Sequence, residues 1–145
     1  MNKTEICRRI PHAGAMCLLH RVDRWDADTI VCSALSHRDA DNPLRSQGRL
    51  HAVCGVEYAA QAMAVHGSLL YQAAHDKPSV GFLASVRDLR FFVGRLDQIK
   101  GALAIKAHKL NSVQGITVYQ FDITAAGQNL LAGRIAVKII LGGDK

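Results

Sequence analysis

The chain is expected to fold as one α+β domain: a curved, mostly antiparallel sheet wrapped around a single long central helix. Three observations lead there. The stretch over residues 52–74 is apolar on nearly every side, as a helix is when protein surrounds it. The rest reads as about six strands with connections too short for parallel crossovers. The length of 145 residues, with 49% apolar, fits a single domain over 1–145 with a sizeable core. The alternative, a helix on one open face of a sheet, calls for a polar stripe that this helix barely has.

Residues 4–10 are expected to form a short helix that Pro11 stops. Leu18–Trp25 and Thr29–His37 read as two strands joined by the turn Asp26-Ala27-Asp28, and Thr29-Ile-Val-Cys has strand-like β-branched content. Residues 38–50 collect Asp, Asn, Pro, Ser and Gly and read as a loop. The central helix ends near His75-Asp76-Lys77-Pro78. Val80–Val93 reads as a long strand with polar positions at Ser85, Arg87 and Arg90, and Gly94–Gly101 as a connection. Ala102–Lys109 alternates in part, and Gly115–Ala125 more clearly, through Ile116, Val118, Phe121 and Ile123. The turn Ala126-Gly127-Gln128 leads into a last strand, Asn129–Leu141, closed by Gly142-Gly143. No internal repeat or low-complexity tract is visible.

Composition narrows the function classes. The N-terminus lacks a signal peptide's apolar core, and no uninterrupted apolar run is long enough to span a bilayer. Cys7, Cys17, Cys32 and Cys54 form no Cys-x-x-Cys pair, which suggests reduced thiols and a cytoplasmic location. Cys17 with His20 is a weak metal candidate, too poor in clustered ligands to argue for a site, so no metal is expected. The formal charge is +6, yet basic residues are scattered and no nucleic-acid motif appears. An ordinary solvated surface explains them, as does a docking face for an acidic partner.

The central helix carries the chemistry. Glu57 stands in its first turns and Gln61 follows at i+4, so both lie on one face among Ala59, Ala60, Ala62, Met63, Ala64 and Val65. Burying one carboxylate among alanines is costly unless it is paired or hydrogen-bonded, and such groups are suited to proton transfer near neutral pH. The competing explanation is an acidic residue placed near a helix N-terminus for the macrodipole.

A sheet curled round one helix is the hot-dog arrangement, and three stretches resemble one family within it, the 3-hydroxyacyl-[acyl carrier protein] dehydratases. Ile10-Pro-His12-Ala-Gly-Ala-Met16-Cys-Leu-Leu-His-Arg-Val22 is similar to that family's Pro-His … Met-Leu-Leu-Asp-Arg-Val opening. Glu57-Tyr-Ala-Ala-Gln61-Ala-Met resembles its Glu-x-Met-Ala-Gln helix, and Gly81-Phe-Leu-Ala-Ser-Val-Arg-Asp-Leu-Arg-Phe91 the strand that follows. The resemblance spans residues 10–141 and is nearest to the branch of aryl-polyene-type biosynthesis. Glu-x-x-x-Gln alone is a weak signal; three ordered stretches are a stronger one.

The resemblance implies a homodimer, or a heterodimer with a related hot-dog subunit, with sites at the subunit interface. It implies an acyl chain on the phosphopantetheine of an acyl carrier protein and no further cofactor. The reaction would be loss of water from a 3-hydroxyacyl thioester to give the trans-2-enoyl thioester. Glu57 matches the carboxylate that handles the hydroxyl, and Gln61 the residue that orients it. Backbone N–H groups of Ala52 and Val53, at the helix start, would polarise the thioester carbonyl. Where the related enzymes carry a loop histidine, this chain has Asp41-Asn42-Pro43-Leu44. The base would then be His12, in the retained Pro-His stretch, or His51, at the helix start. His20 replaces the opening motif's Asp, and His37, His66, His75 and His108 look structural or exposed. Arg45, Arg49 and Arg95, on connections, are the expected carrier contacts. Two other readings stand beside this one: a non-catalytic partner subunit of a dehydratase heterodimer, and a hot-dog acyl thioesterase using Glu57 with water.

Overall fold

The computed structural model describes residues 1–10, 16–75 and 79–141. Its elements are α1 (Lys3–Arg9), β1 (Arg21–Trp25), β2 (Thr29–Ala34), α2 (Gly55–His75), β3 (Ser79–Phe91), β4 (Leu103–Val113), β5 (Ile116–Ala125) and β6 (Gln128–Leu141). Short 3-10 turns at Ser36–Arg38 and Ala52–Cys54 lie between β2 and α2. The strands form one six-stranded sheet in the order β1-β2-β4-β5-β6-β3, with every neighbouring pair antiparallel. The helix α2 packs against β2, β3, β4, β5 and β6, which is the hot-dog arrangement expected from its apolar circumference.

Alternation sets the two faces of the sheet. Leu103, Ile105 and Ala107 of β4, Tyr119, Phe121 and Ile123 of β5, and Ile135 and Val137 of β6 point inward and are buried. They meet Tyr58, Ala59, Ala62, Met63 and Val65 of α2 in one core. The small residues on α2 let it lie close to the sheet. At Gly55 the approach is tight: a Cβ there would stand 2.7 Å from a methyl of Leu131 and 3.2 Å from one of Ile123.

Two tight hairpins set the register of β4, β5 and β6. Gln114-Gly115 and Ala126-Gly127 each place two successive residues at positive φ, the conformation that matches the twist of a two-residue turn. At the β1–β2 turn, the Asp26 carboxylate accepts N–H bonds from Asp28 and Thr29, each 2.9 Å. These two bonds hold its pKa below the ordinary carboxylate value. The helix α1 is capped by Asn2, whose side chain accepts the Glu5 N–H at 3.0 Å.

Several expectations are corrected. The strand predicted over Thr29–His37 ends at Ala34, because the Ser36 hydroxyl turns inward to donate to the Leu18 carbonyl at 2.7 Å. The first strand begins at Arg21 rather than Leu18, and β4 continues past Lys109 to Val113. The cysteines are not all free thiols: Cys7 at the end of α1 and Cys17 form a disulfide, with Cα atoms 5.8 Å apart. That pairing also removes Cys17 as a metal ligand beside His20. Cys32 and Cys54 are free, and burial pushes the Cys32 thiol up to about 12. Among the described residues no helix is long and apolar enough to cross a membrane. Gly142-Gly143 lies outside the described residues.

Candidate active site

The start of α2 is built from both sides. His51 bridges to Arg95 in an isolated antiparallel pair, and the Ala52 N–H donates to the Gly94 carbonyl at 3.0 Å. These bonds tie the entry of the helix to the connection that follows β3. His51, Ala52 and Val53 then line an open hollow of about 360 Å³ with Phe91, Val93 and Gly94. Its surface is apolar and partly bare: Val53 is 55% exposed, and Phe91 and the adjacent Phe92 are 46% and 54% exposed. Exposed aromatic and aliphatic groups clustered in this way mark a binding face.

Glu57 lies about one turn further along α2, half-buried and not sealed in the core as the sequence suggests. The reason is local. Tyr58 and Ala59 of this turn are fully buried in the core, leaving Glu57 toward the flank. Its place in the first turn of α2 also suits the helix dipole.

Gln61 is buried, and both ends of its amide are committed to backbone. Its Oε1 accepts the Leu18 N–H at 2.9 Å and its Nε2 donates to the Met16 carbonyl at 2.7 Å. The side chain therefore fixes the segment entering β1 against the helix face that carries Glu57. Any orienting effect on a substrate hydroxyl runs through this clamp. His12 lies outside the described residues.

Asn42, in the stretch Asp41-Asn42-Pro43-Leu44 expected to stand in for the loop motif of the related enzymes, is structural. Its Nδ2 donates to the Ser36 carbonyl at 2.9 Å and to the Tyr58 hydroxyl at 3.0 Å, while its Oδ1 accepts the Leu44 N–H at 2.9 Å. The Tyr58 hydroxyl also bonds to Ser36 Oγ at 2.8 Å. Burial pushes the phenol of Tyr58 above its ordinary pKa, so it stays a neutral hydrogen-bonding group. The network locks the loop before α2 onto the residue next to Glu57. Sequence reading missed it; the only signals are Asn42 before a proline and a tyrosine directly after the helix carboxylate.

The expected base and oxyanion groups separate in the structure. His51 is exposed, lines the hollow and stays a candidate. The Ala52 N–H is corrected: it is spent on Gly94 and is not available to a thioester oxygen. The Val53 N–H has no backbone acceptor among the described residues and remains the candidate donor.

Two of the three expected carrier contacts are engaged within the fold. Arg45 is half-buried and braces its own loop, with Nη1 donating to the Gly48 carbonyl at 2.9 Å and Nη2 to the His37 carbonyl at 3.4 Å. Arg95 forms a two-pronged ion pair with Asp97, whose Oδ1 also accepts the Leu50 N–H at 3.0 Å. The Arg95 guanidinium holds the Asp97 carboxyl well below the usual carboxylate range. Only Arg49 remains exposed on its loop.

The other histidines behave as expected where they are described. His66 is buried between Tyr119, at 2.6 Å from Nδ1, and the Asp26 carbonyl, at 2.7 Å from Nε2. A carbonyl only accepts, so Nε2 carries the proton and Nδ1 receives the phenol's hydrogen. His37 is buried, with Nε2 at 3.0 Å from the Ile99 carbonyl. His20 and His108 are exposed. Among the described residues no three histidines, cysteines or carboxylates gather to hold a metal ion.

Comparison with known proteins places this arrangement. A family model described as ApeP-like, ApeP dehydratase, matches residues 4–139. The dehydratase heterocomplex ApeI:P from Xenorhabdus doucetiae superposes with a TM-score of 0.82 at 25% identity, covering 92% of this chain and 89% of that one. A point mutant of the thioesterase SAV0944 from Staphylococcus aureus superposes with a TM-score of 0.61 at 14% identity, covering 82% of this chain and 91% of that one. S. sahachiroi AziG gives 0.57 at 19% identity, with 87% and 93% covered. The last two likenesses show the fold alone. No curated protein matches the chain.

Proposed function

The chain belongs to the ApeP-like dehydratase family, and on that premise we propose that it dehydrates carrier-bound 3-hydroxyacyl thioesters to trans-2-enoyl thioesters in fatty acid or polyene-type biosynthesis. The observation that carries the reading is Glu57 on α2, about one turn from an open apolar hollow at the helix start. An acyl chain enters beside Phe91 and Val53, and the thioester oxygen takes the Val53 N–H. A histidine, His12 or His51, removes the C2 proton. The electron pair forms the C2–C3 double bond as the C3–O bond breaks, and the Glu57 carboxyl gives its proton to the departing hydroxyl, which leaves as water. Gln61 keeps the Met16–Leu18 segment in place, and no cofactor is needed beyond the phosphopantetheine that carries the acyl group.

A second hot-dog subunit completes the assembly in this proposal. The strand β3 is an edge of the sheet, and the exposed Phe91 and Phe92 stand at its end. Edge strands with bare apolar neighbours call for a partner, and the Xenorhabdus relative is a heterocomplex. The absence of a histidine from Asp41-Asn42-Pro43-Leu44 supports one variant of this reading, in which the chain is a non-catalytic partner subunit of a dehydratase heterodimer.

The test is product analysis of a 3-hydroxyacyl-carrier thioester incubated with the chain alone and with a related hot-dog subunit. Enoyl thioester formed by the chain alone supports the main reading. Enoyl thioester only in the mixture supports the partner-subunit form. Free acid plus thiol would make the protein a thioesterase.

A further inference from the structure

We propose that the outer face of the sheet, centred on Arg87 and Arg134, docks the acidic surface of the carrier protein that delivers the thioester. The proposal rests on the carrier-bound substrate argued above and fixes where that carrier sits.

The register of the strands carries it. Arg87 of β3 lies directly opposite Arg134 of β6, and both are exposed. Like charges directly opposed across a sheet destabilise it. The nearest acid, Asp88, sits 3.9 Å from Arg134, with both side chains more than half exposed, so the relief is small. Arg87 makes no ion pair among the described residues.

The pair is the centre of a wider field. Arg90 continues along β3 on the same face, opposite Ala132, and Lys138 continues along β6. Lys106 of β4 and Arg24 of β1 extend it toward the other edge. Against these six exposed cations, the acids on this face include Asp88, Asp122, which stands opposite Lys106, and Asp26, which lines a hollow with Arg24 and Lys106, so the excess of positive charge is greatest around Arg87, Arg90 and Arg134. The small residues Ala132 and Ala136 stand between the arginines and leave shallow hollows of about 360 and 290 Å³ beside Arg134. Cations around shallow hollows fit the side of an acidic helix, and they disfavour a second copy of the same face.

Position supports the choice of occupant. Arg87 and Arg90 lead along β3 to Phe91, which lines the hollow at the start of α2. At about 3.3 Å per strand residue, Arg87 lies roughly 13 Å from Phe91. Phe91 stands opposite the inward-facing Leu131, on the other side of the strand from the arginines, so a carrier seated on them passes its arm round the end of β3 into that hollow. Arg45 and Arg95 are already engaged within the fold, by the Gly48 carbonyl and by Asp97, whereas Arg87 has no such ion pair among the described residues.

The test uses the protein with any partner subunit it requires. Steady-state kinetics of the wild type, Arg87→Glu/Arg134→Glu and Arg49→Glu are compared on one 3-hydroxyacyl group, carried either by the carrier protein or by free pantetheine. The expected result is a KM for carrier substrate raised about tenfold or more in the double variant. Its turnover of the pantetheine thioester should be unaltered, and rising salt should weaken the wild type far more than the variant. If the double glutamate variant does not fold, Arg87→Gln/Arg134→Gln decides, with a smaller rise in KM. An unchanged carrier KM, or a rise produced by Arg49→Glu instead, overturns the proposal. If the wild type turns over neither thioester, the dehydratase reading is what fails. Calorimetric titration with the holo-carrier then decides docking by itself: binding lost in the double variant supports it, and binding equal in both, or absent from the wild type, overturns it.

Discussion

Asn42 bonds three different parts of the chain at once, so its replacement is a sensitive probe of the site's frame. Asn42→Ala leaves the Leu44 N–H without its partner inside the protein, strips one bond from Tyr58, and leaves the Ser36 carbonyl with the Asp39 N–H alone. The expected cost is about 2–3 kcal/mol, read as a lower urea midpoint. A shift near zero would show that the loop is not held this way. His66 makes a second prediction. Burial, only partly opposed by the bond to the Asp26 carbonyl, holds its pKa below the ordinary value, as burial does for His37. A histidine depressed in the folded state contributes stability above the unfolded value, about 6.5, and loses it as pH falls through the folded pKa. Unfolding midpoints should therefore drop below about pH 6.5, with a shallower drop in His66→Phe; equal slopes in the two proteins would contradict this. At this scale the placement of Glu57 and Gln61 on one helix face was legible, because i and i+4 share a face whatever surrounds them. The partners of Gln61 were not, because Met16 and Leu18 lie more than forty residues away and offer only backbone.

Gly55 is where the helix as an element meets the sheet. Any side chain there must displace Leu131, itself fully buried. Gly55→Val should cost about 1–3 kcal/mol by overpacking, seen as a lower melting temperature, and should loosen the turn that presents Glu57. An unaltered melting temperature would mean that the approach of α2 to β6 is not tight. The apolar circumference of α2 and the alternation in β5 made these elements legible in the sequence. The end of β2 was not, since Ser36 leaves the strand to bond with Leu18 and Tyr58, and a serine in an apolar run carries no sign of that. Nor were the irregularities of β3 between Leu83 and Ser85 and between Arg87 and Arg90, which depend on its pairing with β6.

For the whole molecule, the sequence suggested a sheet round a helix from the number of strands and the shortness of their connections, but not that β3 would return to the far edge beside β6. That return brings Phe91 to the start of α2 and sets Arg87 against Arg134. The cysteine spacing gave no hint of the Cys7–Cys17 pair, which exists because α1 folds back beside the segment that Gln61 clamps. Under denaturing conditions without reductant, thiol titration should find two free groups, Cys32 and Cys54, and four after reduction. Closing a loop of this size is worth about 2–3 kcal/mol, so reduction should lower the melting temperature; four thiols before reduction would remove the crosslink.

The account turns on Glu57 moving a proton to the leaving hydroxyl. The most direct measurement is mass spectrometry of a 3-hydroxyacyl-carrier thioester incubated with wild type and with Glu57→Gln, each beside any partner subunit required. The account predicts that the acyl group loses one water with the wild type, and that the variant slows this by roughly 100-fold or more. Dehydration at the full rate by Glu57→Gln would contradict it.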